Sequence, residues 1–353
     1  MIFRAFIRSL SASRRRIAHP SPSERIPAPP NLPAAAVIHV SSGAKDWRIK
    51  PSYDITKVAA FKQLDDPSRP LRFAELDLDG CIVRYCVSSP SSEWRVQTLF
   101  TKEPGTIDWI HSFNRGETYV DVGANIGMYA IYAGVVAGAR VFAFEPESQN
   151  YAELCRSIFF NTGARKDIVA WCAAVGDEPV EISRLLVRDL HTGYSFHDFG
   201  EPSRDYASEE RFAQGSVAFS LDHLVATGAI PEPDHVKIDV DGHENKVVRG
   251  MRGLLERRAM RTVLIEADAT LAGTRGITER MLGDGWVVNP DQVRFSRDGL
   301  RPAEPVMAEI AAGMFTGNIV FGRRADDVAY ATTALRRFSP AELEGMTLPF
   351  LHD

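Results

Sequence analysis

The sequence predicts an α/β fold from about residue 106 onward: an open, mostly parallel sheet with helices on both faces. Three observations lead there. Short apolar runs alternate with helical patterns along this part of the chain. The first run ends in a glycine-bearing loop that opens a helix. The second ends in an acid, Glu145, placed 24 residues after Asp121.

The elements follow in order. ETYVDVG gives a strand over Tyr119 to Val122, and Met128 to Val136 reads as a buried helix. RVFAFEP gives the second strand, Arg140 to Glu145. Tyr151, Leu154, Cys155 and Ile158 recur at helical spacing, with Gly163 as the expected stop. DIVAWCAAV is read as a third strand, HVKIDVDG as a fourth and TVLIEA as a fifth. A helix with Val247, Val248, Met251, Leu254 and Leu255 on its apolar face follows the fourth. WVVN and NIVFG supply two more strands. In a sheet of this kind a ligand sits beyond the carboxyl ends of the strands, where the strand order reverses.

Upstream, the chain divides into a tail and a small module. Residues 1–40 carry six Arg, one acid and no Lys, so they hold +5 of a total charge of −5. The remaining chain is therefore acidic, and the pI of the whole chain is near 6.0, which does not suit nucleic acid as a partner. PSPSERIPAPPNLPAA, from residue 20, is too proline-rich for regular structure. MIFRAFIRSL is amphipathic and Arg-bearing, which suggests an organellar transit peptide or a peripheral membrane contact. Residues 41–105 form an accessory module, in which LRFAELDLDGCIVRYCV alternates about Asp79-Gly80 as a β-hairpin does. Residues 106–325 form the main domain and 326–353 a C-terminal extension. Four cysteines without a CxxC pair indicate reduced, packed thiols and a cytoplasmic setting, with Cys81 and Cys86 on one strand.

The loop Asp121-Val122-Gly123-Ala124-Asn125-Ile126-Gly127 is the nucleotide end. A dinucleotide fingerprint needs a second glycine so that the backbone can approach a pyrophosphate. Asn125 stands there instead, and the Asp121 carboxylate would repel a pyrophosphate while attracting an ammonium or a sulfonium. S-adenosylmethionine carries both cations and is favoured over NAD. Glu145 is placed to accept hydrogen bonds from ribose hydroxyls, or else to act as a helix N-terminal acid. Pro146 suits the first turn of the next helix.

TYVDVGANIGMYA, FAFEPESQNYAEL, AAVGD, SLDHLV and HVKIDVDGHENKVVRGM, in that order, resemble the FkbM-type methyltransferases. EPGTIDWI, residues 103–110, also resembles that family. The resemblance spans roughly residues 93–323. It implies a Rossmann-like seven-stranded sheet with the last strand antiparallel, S-adenosylmethionine as cofactor and hydroxyl oxygens as acceptors. It also implies cofactor contacts at Asp121, Gly123, Ala124, Asn125, Gly127, Tyr129, Glu145, Pro146, Ala174 and Asp239. Asp241 departs from the family, which more often has Glu there.

Asp239-Val240-Asp241-Gly242-His243-Glu244, at the end of the fourth strand, is the expected chemical end. Strand alternation would send Asp239 and Asp241 to one side. His243 is the natural general base and Asp239 its orienting partner or the base itself. A hard-cation site built on Asp239, Asp241, His243, Glu244 and Glu266 is the lesser alternative, so no metal is assigned. Lys237, inside an apolar strand, needs a carboxylate partner, and Glu266 on the adjacent strand is the candidate. RDLHTGYSFHDFG, from Arg188, brings His191, Tyr194, Phe196, His197 and Phe199 to a loop that could close over an acceptor. Arg95 faces either an anionic substrate group or an acid of the sheet. The acceptor expected is a small hydroxylated molecule: a natural product, sugar or glycolipid. The competing readings are an NAD- or FAD-linked oxidoreductase and a non-catalytic binding module.

Overall fold

The computed structural model describes residues 59–63, 72–100, 102–161, 167–203, 211–257, 259–271, 274–293, 295–296 and 299–330. The basic tail, Gly163 and the last residues of the C-terminal extension lie outside them. The expected hairpin is present as β2 (Arg72–Leu78) and β3 (Cys81–Cys86), with β1 (Ala59–Gln63) antiparallel to β2. Asp79 and Gly80 both have positive φ, 56° and 88°, as a two-residue turn matching strand twist requires. Two helices follow, α1 (Pro90–Gln97) and α2 (Pro104–His111).

The main sheet contains β4 (Thr118–Val122), β5 (Arg140–Phe144) and β6 (Ile168–Trp171). Next in the chain come β7 (Ala174–Val175), β8 (Val180–Val187), β9 (Asp198–Phe199) and β10 (Phe212–Phe219), which form a separate four-stranded sheet. The main sheet resumes with β11 (His235–Ile238), β12 (Thr262–Asp268) and β13 (Val287–Val288). A short pair, β14 (Phe295–Ser296) and β15 (Gly299–Leu300), precedes the last main strand, β16 (Thr316–Gly322). The seven-stranded order is β13-β16-β12-β11-β4-β5-β6, and β16 runs antiparallel to β12. The expected antiparallel last strand is thus present.

Strands buried on both faces are mostly apolar; all five residues of β4 and all four of β11 are buried, with Thr118, Asp121, His235 and Lys237 as their polar members. On one face the core holds Trp109, Tyr119, Ile131 and Val141, and on the other Val122, Ile238, Val247 and Ile265. Helix α3 (Met128–Tyr132) continues into a π turn over Ala133–Ala137. Helix α4 (Ser148–Phe160) packs the hairpin onto the sheet domain, with Phe73 stacked on Phe160 and the Asn161 amide bonded to the Arg84 carbonyl. The run DIVAWCAAV does not form one strand: it splits into β6 and β7, which join different sheets. Of the four thiols, Cys172 is exposed rather than packed.

Strand order reverses between β4 and β11, the point at which a ligand crevice opens in such sheets. Among the described residues no helix is long and apolar enough to cross a membrane.

Candidate active site

The turn after β4 is built from positive-φ residues: Gly123 (83°), Asn125 (51°) and Gly127 (87°). Asn is one of the few side chains that tolerates this region, and its Oδ1 accepts from the Ile126 N–H at 2.9 Å. The asparagine that breaks the dinucleotide fingerprint therefore holds the turn by itself. A Cβ on Gly123 would come within 1.8 Å of the Asp239 carbonyl oxygen, so glycine there lets the turn touch the end of β11. A Cβ on Gly127 would meet the Leu154 side chain at 2.3 Å, so glycine there lets the turn pack closely on α4.

Glu145 ends β5 and accepts from the Asn125 N–H at 2.8 Å and the Glu147 N–H at 2.9 Å. Burial pushes its carboxyl up to about 8, against the two backbone donors. Glu147, not Glu145, caps α4, through the N–H groups of Gln149 and Asn150. That removes the helix-cap reading of Glu145 and leaves it as the acid aimed at the turn. Pro146 precedes the cap instead of lying in the first turn. Ala174 lies in β7 of the second sheet, paired with Ala218.

Asp121 is buried, and both its oxygens lack a hydrogen-bond partner. The buried Tyr119 hydroxyl lies near it without closing a hydrogen bond. Burial pushes the Asp121 carboxyl up to about 6, opposed by the charge of Lys237. A buried, unsatisfied carboxylate beside the turn suits a ligand ammonium.

Lys237 is buried in β11 and donates to Asp239 Oδ2 at 2.5 Å, with its Nζ 5.1 Å above the Tyr129 ring centroid. The expected Lys237–Glu266 pair is thus replaced by Lys237–Asp239. Burial would lower the Lys237 pKa, but Asp239 and Asp121 outweigh it and keep the ammonium charged. Burial likewise disfavours ionised Asp239, but Lys237 holds the carboxyl well below the usual range. The Asp239 charge, with burial, drives Glu266 well above its ordinary value.

Asp241 does not share a side with Asp239 as strand alternation required. It has a φ of 55°, and its carboxylate accepts from the Phe196 N–H at 2.8 Å. His243 lies 3.0 Å from Asp198 of β9, which is also paired with Arg211. The ring thus ties the inserted sheet to the 239–243 loop and does not line the cleft with Asp239. Among the described residues, no group of three His, Cys, Asp or Glu is arranged to hold a metal ion.

The cleft is lined by Arg95, Lys102, Glu103 and Asp239 together with Gly123, Ala124, Asn125 and Tyr129. Residues 192–196 cap it. The Tyr194 carbonyl accepts from the amides of Asn125 (2.8 Å) and Asn150 (3.1 Å), while the Gly193 N–H donates to Asn150 Oδ1 at 2.7 Å. The cavity volume is about 30 Å³. Sequence reasoning missed Lys102 and Glu103, which pair at 3.3 Å, and Asn150. The motif EPGTIDWI contained Glu103, but only the fold brings it to the crevice.

The reversed-order crevice, its glycine turn and its acid at the end of β5 define a class I S-adenosylmethionine-dependent methyltransferase. Residues 121–288 match the methyltransferase FkbM domain. The chain is 26% identical over 197 residues to hexuronic acid methyltransferase AglP of Haloferax volcanii, covering 55% of this chain and 73% of AglP. It is similar to the precorrin-6y C5,15-methyltransferase of Geobacter metallireducens (14% identity, TM-score 0.33, 55% of this chain and 77% of that one). It is also similar to M. capricolum TrmK bound to S-adenosylhomocysteine (8% identity, TM-score 0.34, 62% and 67%).

Two expectations follow for the cofactor. Glu145→Ala should weaken S-adenosylhomocysteine binding about tenfold or more, a loss of roughly 1.4 kcal/mol, read by calorimetry. Unchanged affinity would remove the ribose role. Asp121 attracts an ammonium only when ionised, so its contribution to affinity should be lost as pH drops below about 6. Asp121→Asn should bind more weakly at pH 8 and flatten that fall; an unaltered profile would place the ammonium elsewhere.

Proposed function

We propose that the enzyme transfers the methyl group of S-adenosylmethionine to an oxygen of a sugar or sugar-bearing small molecule. The observation that carries this reading is Asp239: an ionised carboxylate clamped by Lys237, its backbone against Gly123, in a cleft shared with the cofactor turn. The similarity to a hexuronic acid methyltransferase supports a sugar acceptor. The acidic charge balance argues against a nucleic-acid acceptor.

The bound cofactor supplies an electrophilic methyl carbon on a sulfonium. Asp239 accepts the hydrogen bond of the acceptor hydroxyl, aims its oxygen and takes up its proton as the oxygen–carbon bond forms. Lys237 fixes the Asp239 rotamer. Because Lys237 makes Asp239 a weak base, alignment of the hydroxyl contributes more than proton abstraction. The capping segment excludes water that would otherwise occupy the hydroxyl's place.

The test is methyl transfer from isotope-labelled cofactor to hexuronic acids, neutral hexoses and amino sugars, followed by mass spectrometry of the products. Label on a sugar oxygen supports the proposal. Label only on nitrogen, or transfer to none of them alongside intact cofactor binding, would overturn it.

A further inference from the structure

Three cations line the cleft: Arg95, Lys102 and Lys237. Lys102 is paired with Glu103 and Lys237 with Asp239. Arg95 is different. Its Nε donates to the Gly193 carbonyl at 2.5 Å and its Nη2 to the Ser195 hydroxyl, and both acceptors are neutral. Among the described residues no carboxylate pairs with it. A part-buried guanidinium with its charge unmatched is costly unless a ligand anion completes it. Its planar fork suits a carboxylate in particular.

The cleft's geometry indicates which carboxylate. Gly193 and Ser195 flank Tyr194, whose carbonyl is held by Asn125 of the cofactor turn. Arg95 is therefore anchored on the cofactor side of the cleft, one residue from a group bonded to that turn. The amino-acid end of S-adenosylmethionine is a zwitterion, with ammonium and carboxylate on one carbon. Asp121, buried and unsatisfied, matches the ammonium. We propose that Arg95 binds the α-carboxylate of the cofactor, so that Asp121 and Arg95 together grip its amino-acid end.

Calorimetry on the full-length chain can isolate this contact by comparing S-adenosylmethionine with its decarboxylated analogue, which keeps the ammonium and the sulfonium. The wild type should bind the analogue about tenfold or more weakly than the cofactor. Arg95→Gln can still donate to Gly193, and it should lose about tenfold or more in cofactor affinity while binding the analogue as the wild type does. Equal losses for both ligands would mean that Arg95 only holds the cap. Unchanged cofactor affinity in Arg95→Gln would assign Arg95 to another anion. Either result overturns the proposal. If Arg95→Gln does not fold, the wild-type comparison alone decides, because equal affinity for the two ligands excludes a carboxylate contact.

Discussion

Asp239→Asn is expected to lower kcat by roughly 10²–10⁴-fold, the range a positioned proton acceptor contributes. The neutral amide keeps the shape of Asp239 but loses its charge, so it accepts a weaker hydrogen bond from the hydroxyl and cannot take its proton. The same change leaves the buried Lys237 ammonium without its 2.5 Å partner, at a cost of about 3–5 kcal/mol of stability. The two effects separate in the double variant Lys237→Met/Asp239→Asn, where neither charge remains. Melting temperature should recover, because an isosteric apolar and amide pair replaces a broken ion pair. Activity should not recover. If the double variant regained turnover, Asp239 would be a structural acid and the base would lie elsewhere. His243→Ala provides the contrast, since its ring is bonded to Asp198 of the inserted sheet. It should lower activity less than Asp239→Asn does, and act mainly by loosening the cap.

Gly123→Ala is expected to abolish cofactor binding. The residue sits at φ 83°, where an L side chain costs about 1–2 kcal/mol. Its Cβ would also lie 1.8 Å from a backbone oxygen, Asp239 O, which cannot rotate away as a flexible side chain does. The turn must therefore lift from β11, and with it the Asn125 N–H that holds Glu145. A loss of about 2 kcal/mol corresponds to a fall in Tm of roughly 4–8 °C in a domain of this size. Calorimetry should detect no S-adenosylhomocysteine binding in a variant that still unfolds cooperatively. Wild-type affinity in Gly123→Ala would show that the turn does not form the cofactor cradle.

The parts of the site that lie within one strand–turn unit were legible in the sequence. Buried parallel strands are mostly apolar on both faces, so TYVDV and RVFAF stood out. Each strand ends where its chemistry begins, which marked Asp121, Gly123 and Glu145. Glu145 was ambiguous because an acid there also suits a helix N-terminus, and hydrogen-bond geometry gave the cap to Glu147 instead. Other features depend on contacts between distant segments. The cap joins residues 192–195 to α1 nearly a hundred positions earlier, through Ser89, Arg95 and the Gly193 backbone packed on Ser92. No local pattern encodes such a contact. Lys237 was correctly read as paired, but its partner was sought on the adjacent strand and not two residues on. One turn after Ile238, with Asp241 in the left-handed region, exchanged Glu266 for Asp239 and sent Asp241 to Phe196.

The central claim is that the Asp239 cleft passes a methyl group from the cofactor to a sugar oxygen. Its most direct test is single-turnover transfer from labelled S-adenosylmethionine to a hexuronic acid, with wild type and Asp239→Asn each saturated with cofactor. The account predicts labelled O-methyl sugar from the wild type and a rate lower by roughly 10²–10⁴-fold from Asp239→Asn at equal cofactor occupancy. Equal rates from the two proteins, or a product labelled on nitrogen, would contradict it.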